Sequence, residues 1–144
     1  MSKKYNIVFL IFTMFLAFNL SSCSSTKDVQ KLSYDQSLKD TKWQLESLNE
    51  KAIKKIERVA SINFDKENKV YGNLGCNNFF GKFESKNDLL KISQIGSTMM
   101  MCQDMSIESL YSKILENVKK YKVEKEILIF FDKDNKEIAK FKRV

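Results

Sequence analysis

The sequence predicts an α+β domain in which antiparallel β-sheet dominates and one amphipathic helix covers the concave face of that sheet. Three observations carry this. Several short runs alternate apolar and polar residues with a period of two, as half-buried strands do. A single run, Ile107, Leu110, Tyr111, Ile114, Leu115 and Val118, follows helical spacing instead. Clusters rich in Asp, Asn and Lys, such as "DKEN" and "DKDNK", punctuate the runs as turns.

The N-terminus is set apart from the fold. Lys3 and Lys4 precede an apolar run of twelve residues, "IVFLIFTMFLAF", Ile7 to Phe18. A spanning helix needs about 20 such residues, so this run has the length of an export-signal core. "LSSC" follows, Leu20 to Cys23, and resembles the lipobox of bacterial lipoproteins. That resemblance implies cleavage before Cys23, lipid on Cys23, and a membrane as partner through the lipid rather than through a spanning helix. Ser24, where an Asp would signal retention at the inner membrane, implies the outer membrane of a two-membrane bacterium. The expected organisation is a signal over residues 1–22, a polar and flexible tether over 23–37, and one domain over 38–144.

Within the domain the elements read in order. "TKWQLESL" alternates through Trp43, Leu45 and then Leu48, with Lys42, Gln44 and Glu46 between, and reads as a half-buried strand. "RVASINFD" alternates through Val59 or Ala60, Ile62 and Phe64, and forms a hairpin with "KVYGNL" across "DKEN". "NNFFGKFES" is a strand made irregular near Gly81, and "DLLKISQIGS" one that ends near Gly96. The helix spans about residues 105 to 119. Asp104 or Ser106 is available to cap it, Glu108 sits in its first turn, and Lys119 and Lys120 suit the negative end of its dipole. "YKVEKEILIFFD" and "KEIAKFKRV" close the chain as a hairpin or meander, apolar on both faces at Ile127 to Phe131. The total is five to seven strands and one helix.

Composition excludes several classes of function. The chain has no histidine, which removes Ser-His-Asp and Cys-His catalysis and histidine-based zinc sites. It has no Cys-x-x-Cys, and its glycines lack phosphate-loop spacing. Glu124 and Glu126 sit among lysines and read as solvated surface. No general acid or base, and no cofactor, is expected. The formal charge of +7 falls to +5 once Lys3 and Lys4 leave with the signal. The lysines are interleaved with acids and only Arg58 and Arg143 are arginines, so no nucleic-acid partner is expected.

Two motifs stand out. "VYGNLGCNNFFGKF" holds three of the four glycines, Gly72, Gly75 and Gly81, and reads as a tight turn around Cys76, with Asn77 and Asn78 bonding their own backbone. "GSTMMMC" runs from Gly96 through Ser97, Thr98 and Met101 to Cys102, six residues before Glu108. Together with Tyr111, Leu115 and the opening Trp43 and Leu45, this pair resembles the META domain, or HslJ-like, family over about residues 38 to 144. The family often has a basic residue after Ser-Thr, where this chain has Met99. The resemblance implies an open, barrel-like antiparallel sheet packed on one helix, and a cell-envelope protein linked to heat shock or other stress. It marks Gly75, Asn77, Gly81, Ser97, Thr98, Met101 and Glu108 as motif positions.

With Cys23 given to lipid, Cys76 and Cys102 remain. They admit a disulfide, two free buried thiols, or, with Met99, Met100 and Met101, a soft-metal site for Cu(I). Adjacent Phe79 and Phe80 must point to opposite faces of a strand, so one is available to a partner-binding patch. The expected function is non-enzymatic: a lipid-anchored envelope protein that binds another envelope component, the alternative being a carrier of a small ligand or soft metal on the concave sheet face.

Overall fold

The structure is a computed structural model and describes residues 37–53 and 58–144. The expected export signal, Cys23 and the tether up to residue 36 lie outside the described residues. The elements are β1 (Thr41–Leu48), β2 (Lys51–Ala52), β3 (Ser61–Phe64), β4 (Lys69–Asn73), β5 (Asn78–Lys86), β6 (Leu89–Ser97), α1 (Ser106–Asn117), β7 (Lys120–Glu124), β8 (Ile127–Phe131) and β9 (Glu137–Arg143). There are thus nine strands among the described residues, against the five to seven expected. The difference has two sources. β2 is too short to show a period. The run "YKVEKEILIFFD" folds back on itself at Lys125 and Glu126, giving β7 and β8.

Every pairing is antiparallel, in the order β2-β1-β3-β4-β5-β6-β7-β8-β9, and β1 also pairs with β9, so the sheet runs round into a ring. The ring is uneven. Between β6 and β7 the only paired residues are Leu89 and Lys120. Leu90 N–H donates to Lys119 O at 2.9 Å and Tyr121 N–H to Asp88 O at 2.8 Å on either side. In antiparallel register the later part of β6 lies opposite the residues before Lys119, which are α1. The helix therefore stands beside β6 where a strand would otherwise close the wall.

Alternation explains the strands. In β1, Trp43, Leu45 and Leu48 are buried although 45 and 48 are out of phase. A bulge between Leu45 and Ser47 in the pairing with β9 shifts the phase by one residue. Before β3 the inward position is Ala60, and Val59 is 59% exposed. The interior is filled by Trp43, Phe64, Phe79, Phe83, Phe130 and Phe141, with Tyr111, Ile114 and Leu115 of α1 inserted among them. Phe64 and Phe83 meet edge to face with centroids 4.8 Å apart, as do Phe130 and Phe141 at a tilt. Arg143 of β9 lies 4.4 Å over the ring of its cross-strand partner Trp43, covering the β1–β9 closure.

The helix ends differ from expectation. Asp104 Oδ1 accepts the Ser106 N–H at 2.8 Å, but Met105 occupies the N-cap position and its side chain caps no helix N–H. The Ser106 hydroxyl and then its N–H hold the Asp104 carboxyl below its usual range. Lys119 and Lys120 fall beyond the last turn, where Lys120 already belongs to β7.

Burial gives Tyr111 a consequence for pH. Its phenol is fully buried, and desolvation pushes its ionisation well above the ordinary tyrosine value of 10.0. The unfolded chain gives up this proton first, so the contribution of Tyr111 to stability is complete below about pH 10 and is lost as pH rises beyond it. An alkaline titration followed by tyrosinate absorbance should show one tyrosine that ionises only together with loss of the near-ultraviolet tryptophan signal. Ionisation of every tyrosine in the folded domain would contradict this packing.

Candidate functional site

The two sequence motifs meet at one end of the barrel. Leu74 to Asn77 link β4 to β5, and residues 98–105 link β6 to α1. Gly75 has φ 115°, a conformation that a side chain would strain, and its N–H donates to Asn73 Oδ1 at 2.8 Å. The tight turn carries Asn77 inward, where it is 1% exposed.

Every polar atom of Asn77 is used. Nδ2 donates to Glu108 Oε1 at 2.8 Å and to Met100 O at 2.9 Å. Oδ1 accepts from Thr98 Oγ1 and from the Met100 N–H, both at 2.7 Å. The backbone N–H donates to Glu108 Oε2 at 2.7 Å, and the carbonyl accepts from Leu74 N–H at 2.8 Å. Two donors facing two acceptors, and the reverse, fix the orientation of the amide. Glu108 thus grips Asn77 with both oxygens from the first turn of α1. Thr98 Oγ1 also accepts the Asn78 N–H at 3.2 Å, and Thr98 N–H donates to Asn78 O at 3.0 Å.

A covalent tie lies beside this network. Cys76 and Cys102 form a disulfide, with Cα atoms 6.1 Å apart. Of the three readings of these cysteines, the structure has the first, and the bonded sulfurs offer no thiolate to a metal. Cys76 is buried and Cys102 half-buried. The backbone from Thr98 to Cys102 is therefore held at Thr98, at Met100 and at Cys102.

Other motif positions serve the strands around this clamp. At Gly81 a Cβ would lie 2.9 Å from Ser93 O, because β6 bulges toward β5 there, with Gln94 at φ 53°. Ser97 closes the β5–β6 pairing opposite Phe79. Met101 takes no part in the clamp. Met99 is 96% exposed, Met101 90% and Met100 44%. Phe79 points into the core, while Phe80 lies outside on Gly96 and pairs across to half-exposed Tyr71. The motif end thus has a hydrogen-bonded interior around Asn77 and exposed apolar side chains outside it.

Sequence reasoning placed Asn77 in a local turn and Glu108 on the helix dipole. It missed that they bind each other across 31 residues. The signal available was an Asn directly after one cysteine and an acid six residues after the other. A separate groove of about 590 Å³ lies on the outer face of the sheet, over Ile127 and Ile129 and among Glu46, Glu124, Lys125 and Lys140. It contains no motif residue.

The family model of the META domain matches residues 36–144. Among solved structures, an NMR structure of a protein from Burkholderia xenovorans superposes with a TM-score of 0.61 at 20% identity, covering 74% of this chain and 83% of that one. A second NMR structure superposes with a TM-score of 0.60 at 22% identity, covering 72% and 89%. At these identities the likeness is one of fold. No curated protein matches the chain.

Proposed function

The chain belongs to the META domain family, and we propose that it is a non-enzymatic envelope protein, lipid-anchored at Cys23, whose clamped methionine loop docks another envelope protein. The observation that carries this reading is the contrast between backbone and side chains over residues 98–102. Three hydrogen bonds to the Asn77 side chain and a disulfide immobilise the segment, and Glu108 holds Asn77 itself. The same segment turns Met99 and Met101 into solvent. A pre-ordered backbone spares the loop's share of the entropy cost of binding, and methionine adapts to irregular partners.

The groups that chemistry would need are already engaged. Cys76 is bonded to Cys102, both Glu108 oxygens accept from Asn77, and the Asn77 amide is saturated. This supports a structural role for the motif. The filled interior weighs against the alternative, a small-ligand carrier on the concave face, because Trp43, Tyr111 and Phe141 occupy that space.

The start of the described chain and the methionine loop lie at different levels of the strands. The described chain enters at Leu38, bonded through its carbonyl to the Thr41 hydroxyl. Thr41 is level with Phe64 and, through it, with Val70 and Gly81. Gln44, Ser61, Asn73 and Asn78 are level with one another farther along the same strands, and Asn77 lies beyond them.

The test is capture of partners from the native envelope after heat shock, by the wild-type protein and by a Met99→Ser/Met101→Ser variant, with mass spectrometry. An envelope protein retained by the first and lost by the second, at equal melting temperature, is the expected result. Identical captures would contradict docking through this loop. In the same cells a clickable palmitate analogue should label the wild type and not Cys23→Ser; label on both would remove the anchor.

A further inference from the structure

We propose that Met99 and Met101 are an oxidant-accepting site, two thioethers that take up oxygen on reaction with hydrogen peroxide or hypochlorous acid while the domain stays folded. This rests on their chemistry and placement and not on what the loop docks.

All four methionines of the described residues fall within Met99 to Met105, yet their surroundings differ sharply. Met99 and Met101 are almost wholly exposed, and Met100 is less than half so. Met105 is half-buried at the start of α1, and its Sδ accepts the Cys102 N–H at 3.4 Å. Oxidation of methionine follows exposure, and its usual damage is the placing of a polar, chiral sulfoxide in a packed core. Neither Met99 nor Met101 belongs to the core cluster. Their backbone is fixed by the Asn77 bonds to Met100 and by the disulfide, so the exposed side chains cannot collapse inward to hide the sulfur. Cysteine, ordinarily the faster sulfur, is already paired at Cys76 and Cys102. The first reduced sulfurs that an oxidant meets on the domain are these two thioethers.

With peroxide, a lone pair on Sδ attacks an oxygen, and the S–O bond forms as the O–O bond breaks. With hypochlorous acid, Sδ attacks chlorine as the O–Cl bond breaks with loss of hydroxide, and water then displaces chloride from the chlorosulfonium to form the S–O bond. Sulfur is oxidised by two electrons to the sulfoxide. Peroxide is reduced to water; hypochlorous acid is reduced to chloride with release of its proton. Reduction by a thiol-dependent methionine sulfoxide reductase restores the thioether.

The intact mature protein, with its disulfide, is treated with limiting hypochlorous acid or peroxide and mapped by peptide mass spectrometry alongside thermal unfolding. Met99 and Met101 should each gain one oxygen about tenfold faster than Met105, with the melting temperature unchanged. A Met99→Leu/Met101→Leu variant should keep the same melting temperature and consume correspondingly fewer oxidant equivalents. Oxidation of Met105 at a comparable rate would overturn the proposal, as would a melting temperature that falls once Met99 and Met101 are oxidised, or equal oxidant consumption by the variant.

Discussion

Replacing Asn77 by Ala should destabilise the domain by about 3–4 kcal/mol, because several polar groups packed around one buried amide lose their bonds at once. The Glu108 Oε1, the Met100 N–H and carbonyl, and the Thr98 hydroxyl all bond to this one side chain. A buried group left unsatisfied costs about 1–3 kcal/mol; water entering beside half-buried Glu108 and exposed Thr98 keeps the total below the simple sum. The midpoint of urea unfolding measures it. Asn77→Asp sharpens the test. It keeps the acceptor toward Met100 and Thr98, removes the two donors, and sets a second carboxylate against Glu108. Two carboxylates in contact raise a folded-state pKa, so the loss should be largest at neutral pH and partly recovered as pH falls and the pair takes up a proton. An Asn77→Asp variant as stable as the wild type at pH 7 would mean that Glu108 does not grip this position.

Removal of the disulfide by Cys76→Ala with Cys102→Ala should cost a comparable amount. The two cysteines are 26 residues apart, and the chain-entropy model gives about 3.5 kcal/mol for a loop of that size. Thermal unfolding of the oxidised wild type, the reduced wild type and the double variant measures it. The two clamps close the same segment, so their effects should not add. With the disulfide gone, Asn77 must order residues 98–102 alone, and the coupling in a double-mutant cycle between the cysteine pair and Asn77 should be about 1 kcal/mol or more. Independent, additive losses would show that the bonds and the disulfide act on separate parts of the fold.

The strands legible in the sequence were those with a clean period. Ile62 and Phe64, Phe79 and Phe83, and Leu90 and Ile92 alternate as expected and are buried. What escaped had local causes that alternation cannot carry. The turn between β7 and β8 is made by Lys125 at φ 55° and Glu126, without the Asn-Gly or Asp-Gly that announces such a turn, so the two strands read as one run. The phase of Leu48 depends on a bulge that exists only in the pairing with β9, at the far end of the chain. The ring itself needs β1 to meet β9, which no local pattern encodes.

The site divides in the same way. The turn at Gly75 was readable, because glycine declares its geometry, and the cysteines were legible as one of three kinds of chemistry, of which the structure has the disulfide. Asn77 was read as a turn residue bonding its neighbours, whereas five of its bonds reach residues 98 to 108. An amide gives no sequence signal of which distant partner will saturate it. The methionine run was read with the cysteines as a soft-metal donor set; the clamp on its backbone puts it at the surface, because it fixes Met100 against Asn77 and leaves Met99 and Met101 no path inward.

The central claim is that the motif residues immobilise the backbone of a loop whose side chains remain free. Native-state hydrogen exchange of the Met100 and Asn77 amides, resolved by NMR in the oxidised domain, tests it most directly. Both amides should exchange only through openings close in free energy to global unfolding, while the Met99 and Met101 methyl groups show fast side-chain motion. Exchange of the Met100 amide at the rate of an unprotected loop would contradict the account.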